Sequence, residues 1–211
     1  MKFLFLEAKV RRKILILSIA LLTFISILSG CRRTERDPNE ITSFLKDLKS
    51  YSTDFTMDIK NDKQVIVHEG KQYYKKGQGY RIELSKDRVF LYKSDKIYVN
   101  DVKNNFKYTL DKDFDNIYKI TFVEQYINML SANEEVKYDY KTIEGKNYQL
   151  IELVIPGGTR ETSKAVMYVN AKTYLPEWIM VYDENNKERI KITYKNFHCE
   201  EELDDKLFNI D

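Results

Sequence analysis

Tyr51-Ser52-Thr53-Asp54-Phe55-Thr56-Met57-Asp58-Ile59-Lys60 decides the fold: Tyr51, Thr53, Phe55, Met57 and Ile59 alternate with short polar or charged residues. A period of two sends the two sets to opposite faces of an extended chain, so this is a half-buried strand. Asn61-Asp62-Lys63 closes it as a turn. Similar punctuation recurs at Lys76-Gly77-Gln78-Gly79, Lys93-Ser94-Asp95, Lys103-Asn104-Asn105, Glu144-Gly145-Lys146-Asn147, Pro156-Gly157-Gly158 and Asp183-Glu184-Asn185-Asn186. Each divides two runs rich in β-branched and aromatic residues, which is the pattern of successive antiparallel hairpins. The runs are Val65 to Lys75, Tyr80 to Leu84, Arg88 to Tyr92, Lys96 to Val99, Phe106 to Leu110, Val136 to Ile143, Tyr148 to Ile155, Lys164 to Asn170, Pro176 to Tyr182 and Glu188 to Phe197. With the Tyr51 strand they make about eleven strands.

Two segments break the meander. Asp37-Pro38-Asn39-Glu40 opens a helix, since Asp can cap, Pro suits the first turn and Glu three residues on completes a capping box. Ile41, Phe44, Leu45 and Leu48 then form one apolar stripe, which should lie on the sheet. Between Phe114 and Ala132, the residues Ile117, Ile120, Phe122, Val123, Tyr126, Ile127 and Leu130 follow a helical spacing and should cross the sheet interior. Glu200 to Asp211 reads as an acidic docking tail whose Leu207 and Phe208 fill the sheet edge. The predicted class is α+β, mainly β: a long twisted antiparallel sheet curled into an open, incomplete barrel, with the N-terminal and central helices on its concave side.

The first thirty residues read as an address. Lys9, Arg11, Arg12 and Lys13 precede an uncharged run from Ile14 to Leu28, and Leu28-Ser29-Gly30-Cys31 follows as a lipobox. The run is shorter than the roughly 18 to 20 residues of a membrane-spanning helix, so cleavage after residue 30 and acylation of the Cys31 thiol are expected. Residues 31–37 then form a tether and 38–211 the domain. The expected location is extracytoplasmic, held to the membrane by lipid.

The 211 residues carry 35 Lys+Arg against 33 Asp+Glu, and removal of residues 1–30 leaves 30 basic against 32 acidic. The precursor's basicity belongs to its leader, so no clustered basic face argues for a nucleic-acid partner. Hydrophobic residues make up 43% and aromatic ones 13%, enough for a packed core rather than disorder. With 2 Cys and 2 His, neither a disulfide framework nor a four-thiolate zinc site can form.

The candidates for chemistry each have a plainer reading. His198 and Cys199 are adjacent on an extended chain and point to opposite faces, which argues against a metal pair. His68 lies beside Glu69 in an alternating strand and reads as a surface or edge histidine rather than a general base. Pro156-Gly157-Gly158-Thr159-Arg160 lacks the Gly-Lys-Ser/Thr ending of a phosphate loop, and Ser43, Ser94 and Ser163 lack a nucleophile elbow. Asp204-Asp205 and Glu134-Glu135 are charge runs in turns. The expectation is no enzyme activity, no metal and no cofactor. Among the 16 tyrosines, those on the strands supply amphipathic rings suited to a lined cavity or an interface.

The lipobox, the N-terminal helix, the meander broken by one helix, the turn Val169-Asn170-Ala171-Lys172-Thr173-Tyr174-Leu175-Pro176-Glu177-Trp178 and the final Leu207-Phe208 together resemble the LolA/LolB/RseB-type lipoprotein-carrier fold. Within it, the Lys/Asn/Ile/Tyr-rich chain is similar to clostridial spore germination lipoproteins. That resemblance implies a non-catalytic role: binding and activating an N-acetylmuramoyl-L-alanine amidase that begins muramic-δ-lactam formation in the cortex. The residues themselves leave a second reading open, a carrier or sensor holding acyl chains in a concavity lined by Phe122, Tyr126, Ile127 and Leu130. The exposed sheet edges also suggest a homodimer, by edge pairing or strand exchange.

Overall fold

Along Ser50–Lys60 (β1) burial follows the sequence alternation, with Tyr51, Thr53, Phe55 and Met57 buried and Ser52, Asp54, Thr56 and Asp58 half-exposed. The computed structural model describes residues 37–209 apart from 86, 115, 116 and 134. The leader, Cys31 and the tether up to residue 36 lie outside the described residues.

Ten further strands follow: β2 Val65–Lys75, β3 Gly79–Leu84, β4 Arg88–Lys93, β5 Lys96–Asp101, β6 Phe106–Asp111, β7 Lys137–Ile143, β8 Lys146–Val154, β9 Lys164–Asn170, β10 Pro176–Tyr182 and β11 Glu188–Cys199. They form one antiparallel sheet in the order β6-β5-β4-β3-β2-β1-β11-β10-β9-β8-β7, not closed into a barrel. This order has a consequence. β6 and β7 are consecutive strands at opposite edges, so residues 112–136 must travel the full width of the sheet. Strands twist by roughly 20 to 25° from neighbour to neighbour, so a sheet this wide curls, and the crossing chain can bury its apolar side within the curl.

Two helices occupy that side: α1, Pro38–Asp47, and α2, Val123–Ser131. Ile41 and Leu45 of α1 and Val123, Tyr126 and Ile127 of α2 join one core with Tyr51, Phe55, Met57, Ile82, Ile151, Met167, Ile179 and Ile192. Each such side chain contributes roughly 1.5–3 kcal/mol of burial. The central helix is shorter than the segment from Phe114 to Ala132 that its spacing suggested. Lys112–Phe114 and Lys119–Thr121 are single 3-10 turns, and Phe122 (φ −80°, ψ 121°) is extended, so the α-helix starts only at Val123.

The tail differs from expectation. Phe208 is fully buried, but it packs with Leu91, Leu203, Tyr73 and Leu207 in a second cluster rather than at a sheet edge. The reason is topological. β11 pairs with β1 in the middle of the sheet, so the chain leaving Cys199 has no edge beside it. It runs instead across the convex side of the first half: Ser50 Oγ donates to Glu201 O at 2.7 Å, Lys75 Nζ to Leu203 O at 2.7 Å and Arg81 Nη1 to Leu207 O at 2.8 Å.

The β9–β10 turn shows why its sequence is distinctive. Asn170 Oδ1 accepts from the Lys172 and Thr173 amides at 2.9 and 3.3 Å, and Tyr174 adopts φ +61° just before Leu175-Pro176. The Asn170 amide then donates to Glu177 Oε1 at 2.8 Å, and the Tyr148 hydroxyl to Glu177 Oε2 at 2.7 Å, tying three strands together.

Candidate functional site

The inward-facing rows of the sheet determine what the concave side can hold. On β1 and β2, Tyr51 lies opposite Tyr74, Thr53 opposite Gln72 and Phe55 opposite Gly70. Gly70 is required there, because a Cβ would stand 2.2 Å from Glu83 O and 3.0 Å from the Phe55 ring. Three phenols of the sheet and of α2 fasten the crossing segment to this surface. The Tyr194 hydroxyl donates to Thr121 O at 2.5 Å, and the Tyr51 hydroxyl accepts from the Val123 amide at 3.2 Å. Tyr126, carried by α2, donates to Ile151 O at 2.7 Å, lies 3.0 Å from Ala165 O and accepts from the Met167 amide at 3.1 Å. Burial pushes all three phenols well above their ordinary pKa, so all three stay protonated and neutral.

Of the residues expected to line a cavity, Phe122, Tyr126 and Ile127 retain 1, 0 and 2% of their surface. Their side chains pack into the core and occupy the centre of the concave side. Leu130 is half-buried and borders a hollow of about 270 Å³ between α1 and α2, with Lys46, Ile127 and Tyr138. Phe122 sits under a run of rings, 4.6 Å from Tyr80 and 5.2 Å from Tyr92, and Tyr80 stacks on Tyr74 at 5.0 Å. Neither the phenol fastening nor the rings over Phe122 could be located from spacing, because the phenols' partners lie 25 to 73 residues away and the ring partners of Phe122 30 and 42.

The remaining candidates stay apart. His198 is exposed, while Cys199 faces inward and packs against the core, its thiol raised mainly by burial and also by Glu200. His68 faces inward too, its ring 6.3 Å from that of Tyr118. Among the described residues no three His, Cys, Asp or Glu converge as metal ligands, and no helix is long and apolar enough to cross a membrane.

The class defined here is a mainly β protein built on one open antiparallel sheet whose own crossover fills the curl. The chain belongs to the family of sporulation protein YdcC-like proteins, whose family model matches residues 11–208. Among curated proteins none matches it. Among solved structures it is similar to an uncharacterized conserved protein from Thermus thermophilus, with TM-score 0.56 and 8% identity over 82% of this chain and 93% of that one. It is also similar to GerS, a lipoprotein solved in complex with the CwlD amidase from Clostridioides difficile, at 26% identity and TM-score 0.47 over 80% of this chain and 98% of that one. The LolA superfamily protein NE2245 from Nitrosomonas europaea matches at 11% identity and TM-score 0.44, over 82% and 96%.

Proposed function

We propose that this chain is a membrane-anchored, non-catalytic sporulation protein required for germination, which binds and activates an N-acetylmuramoyl-L-alanine amidase for muramic-δ-lactam formation in cortex peptidoglycan. The observation that carries the choice between a protein partner and an acyl chain is the filled concave side. Phe122, Tyr126 and Ile127 take up the space a lipid tail needs, and the hydrogen bonds of three phenols resist their withdrawal. Family membership supplies the process. The partner class is the one the sequence resemblance implies.

In this reading Cys31 bears the lipid and places the domain outside the cytoplasmic membrane. Among the described residues the two sheet edges, β6 and β7, have no further strand beside them and offer a second copy main-chain pairing. The full chain is expected to capture an amidase from sporulating cells and to raise its activity in a reconstituted assay. If no amidase is captured and mass spectrometry finds acyl chains bound to the protein, the carrier reading replaces this one.

A further inference from the structure

One rim of the concave side carries a charge pattern the reading above leaves unused. Two hollows of about 440 and 290 Å³ meet there, sharing Gly79, Tyr80, Lys93 and Ser94, so they form one open cleft. Its volume lies in the range of small-molecule sites, roughly 300–1,000 Å³. The β2–β3 turn, the β4–β5 turn and the start of the crossover supply its walls. They bring together Lys76, Lys93, Lys96, Lys112 and Lys119 around a single carboxylate, Glu124.

This excess is neutralised only in part, at Lys96, which faces the carboxylates of Asp111 and Asp95. Lys96 pairs with Asp111 at 2.6 Å, and Lys93 reaches only the neutral Asn209 amide at 3.4 Å. Lys76, Lys112 and Lys119 make no ion pair among the described residues. Glu124 is occupied, accepting from the Tyr80 hydroxyl, from Gln125 Nε2 at 3.2 Å and from the Asn128 amide. In a chain whose charges nearly cancel, five lysines at one cleft are a segregation with an electrostatic consequence: a concavity of one sign concentrates its counter-ion.

Below the lysines the cleft has an aromatic floor. Tyr80, Tyr92 and Phe122 line it, held by their mutual packing, and Gln125 Nε2 lies 2.5 Å from the Tyr80 hydroxyl. The half-buried rings of Tyr80 and Tyr92 offer apolar surface suited to the apolar side of a sugar, with the buried Phe122 supporting them from beneath. The hydroxyl and amide suit its polar substituents, and the lysines suit carboxylates attached to it.

We propose that this cleft binds an acidic glycan fragment, a saccharide carrying stem-peptide carboxylates, so that the chain holds cell-wall substrate as well as the enzyme. The proposal rests on the amidase reading for the source of that glycan. The full chain in detergent, titrated calorimetrically with a purified disaccharide tetrapeptide of peptidoglycan, shows saturable binding that weakens from about 50 to about 300 mM salt. Combined Lys93→Gln, Lys112→Gln and Lys119→Gln substitution weakens it about tenfold or more, since each exposed charge pair is worth a severalfold change at most. The matching triple Arg variant keeps binding within about twofold, and both variants melt as the parent does.

No saturable heat overturns the proposal, as does equal affinity for an uncharged N-acetylglucosamine dimer. Tighter binding of polyglycerol phosphate assigns the cleft to a phosphate polymer and also overturns it. Amidase capture by the triple Gln variant is expected to be unchanged. Loss of capture with muropeptide binding intact would make the cleft a protein interface, whereas failed capture by the parent chain tests only the amidase reading.

Discussion

The Tyr126 hydroxyl donates to the Ile151 carbonyl at 2.7 Å while accepting from the Met167 amide at 3.1 Å, so one helical side chain bridges two strands of the far half of the sheet. Removing that hydroxyl leaves buried backbone groups short of a partner and adds no compensating contact. Tyr126→Phe is expected to lower stability by about 1–3 kcal/mol. Urea unfolding should show a reduced midpoint at an unchanged slope; an unaltered midpoint would mean that packing alone holds α2.

The C-terminal tail is expected to be a structural part of the domain. Phe208 is fully buried against Leu91 and Leu203, and Arg81 fixes the backbone beside it through Leu207 O. Phe208→Ala should cost about 3–5 kcal/mol, the range for a large buried ring. Thermal melting measures this directly. A tail docked loosely on an edge would instead tolerate the change with a shift of a few tenths of a kcal/mol.

Much of this fold was legible because its strands are regular. Val65–Lys75, Lys164–Asn170 and Pro176–Tyr182 have the limits that their flanking turn residues mark, and the alternation in β1 matches its burial. Pairing order was not legible. Nothing local in Glu188–Cys199 says that it joins β1 at the sheet centre, and the tail's position follows from that pairing alone. The cleft was hidden for a related reason. Lys76 lies in the β2–β3 turn, Lys93 and Lys96 flank the β4–β5 turn and Lys112 and Lys119 belong to the crossover, so they meet only because the hairpins stack and the crossover begins beside them. Composition, being nearly charge-balanced, masked them.

The tyrosines make stability sensitive to alkali. Burial is the main cause that pushes Tyr74, Tyr148 and Tyr182 up to about 12, assisted by Glu124, Glu177 and Tyr168 respectively. Tyr51, Tyr126 and Tyr194 are raised further. A folded value above the unfolded one, about 10, means that the fold favours the protonated phenol. The associated stability is therefore complete below pH about 10 and is lost as pH rises through about 12. Phenolate absorbance should rise in two phases, first from exposed tyrosines and then together with the loss of circular dichroism. A single phase near pH 10 with the fold intact would contradict the buried arrangement.

Two glycines in one turn give a contrast that tests the cleft's framework. Gly79 has φ +114°, and a Cβ there would lie 2.3 Å from Tyr92 O, a backbone atom of the next strand that cannot swing aside. Gly77 also has positive φ, +84°, but a Cβ there meets nothing within 4 Å. Gly77→Ala should therefore cost only the conformational penalty, about 1–2 kcal/mol. Gly79→Ala adds a displacement of β3 from β4 and should cost more, with the ring contacts of Tyr80 and Tyr92 on Phe122 disturbed. Amide exchange in Gly79–Leu84 and Arg88–Lys93 should accelerate in Gly79→Ala and stay near the parent rate in Gly77→Ala. Equal stability and equal exchange in the two variants would show that β3 and β4 can separate without cost, and the close approach at Gly79 would then play no part in shaping the cleft.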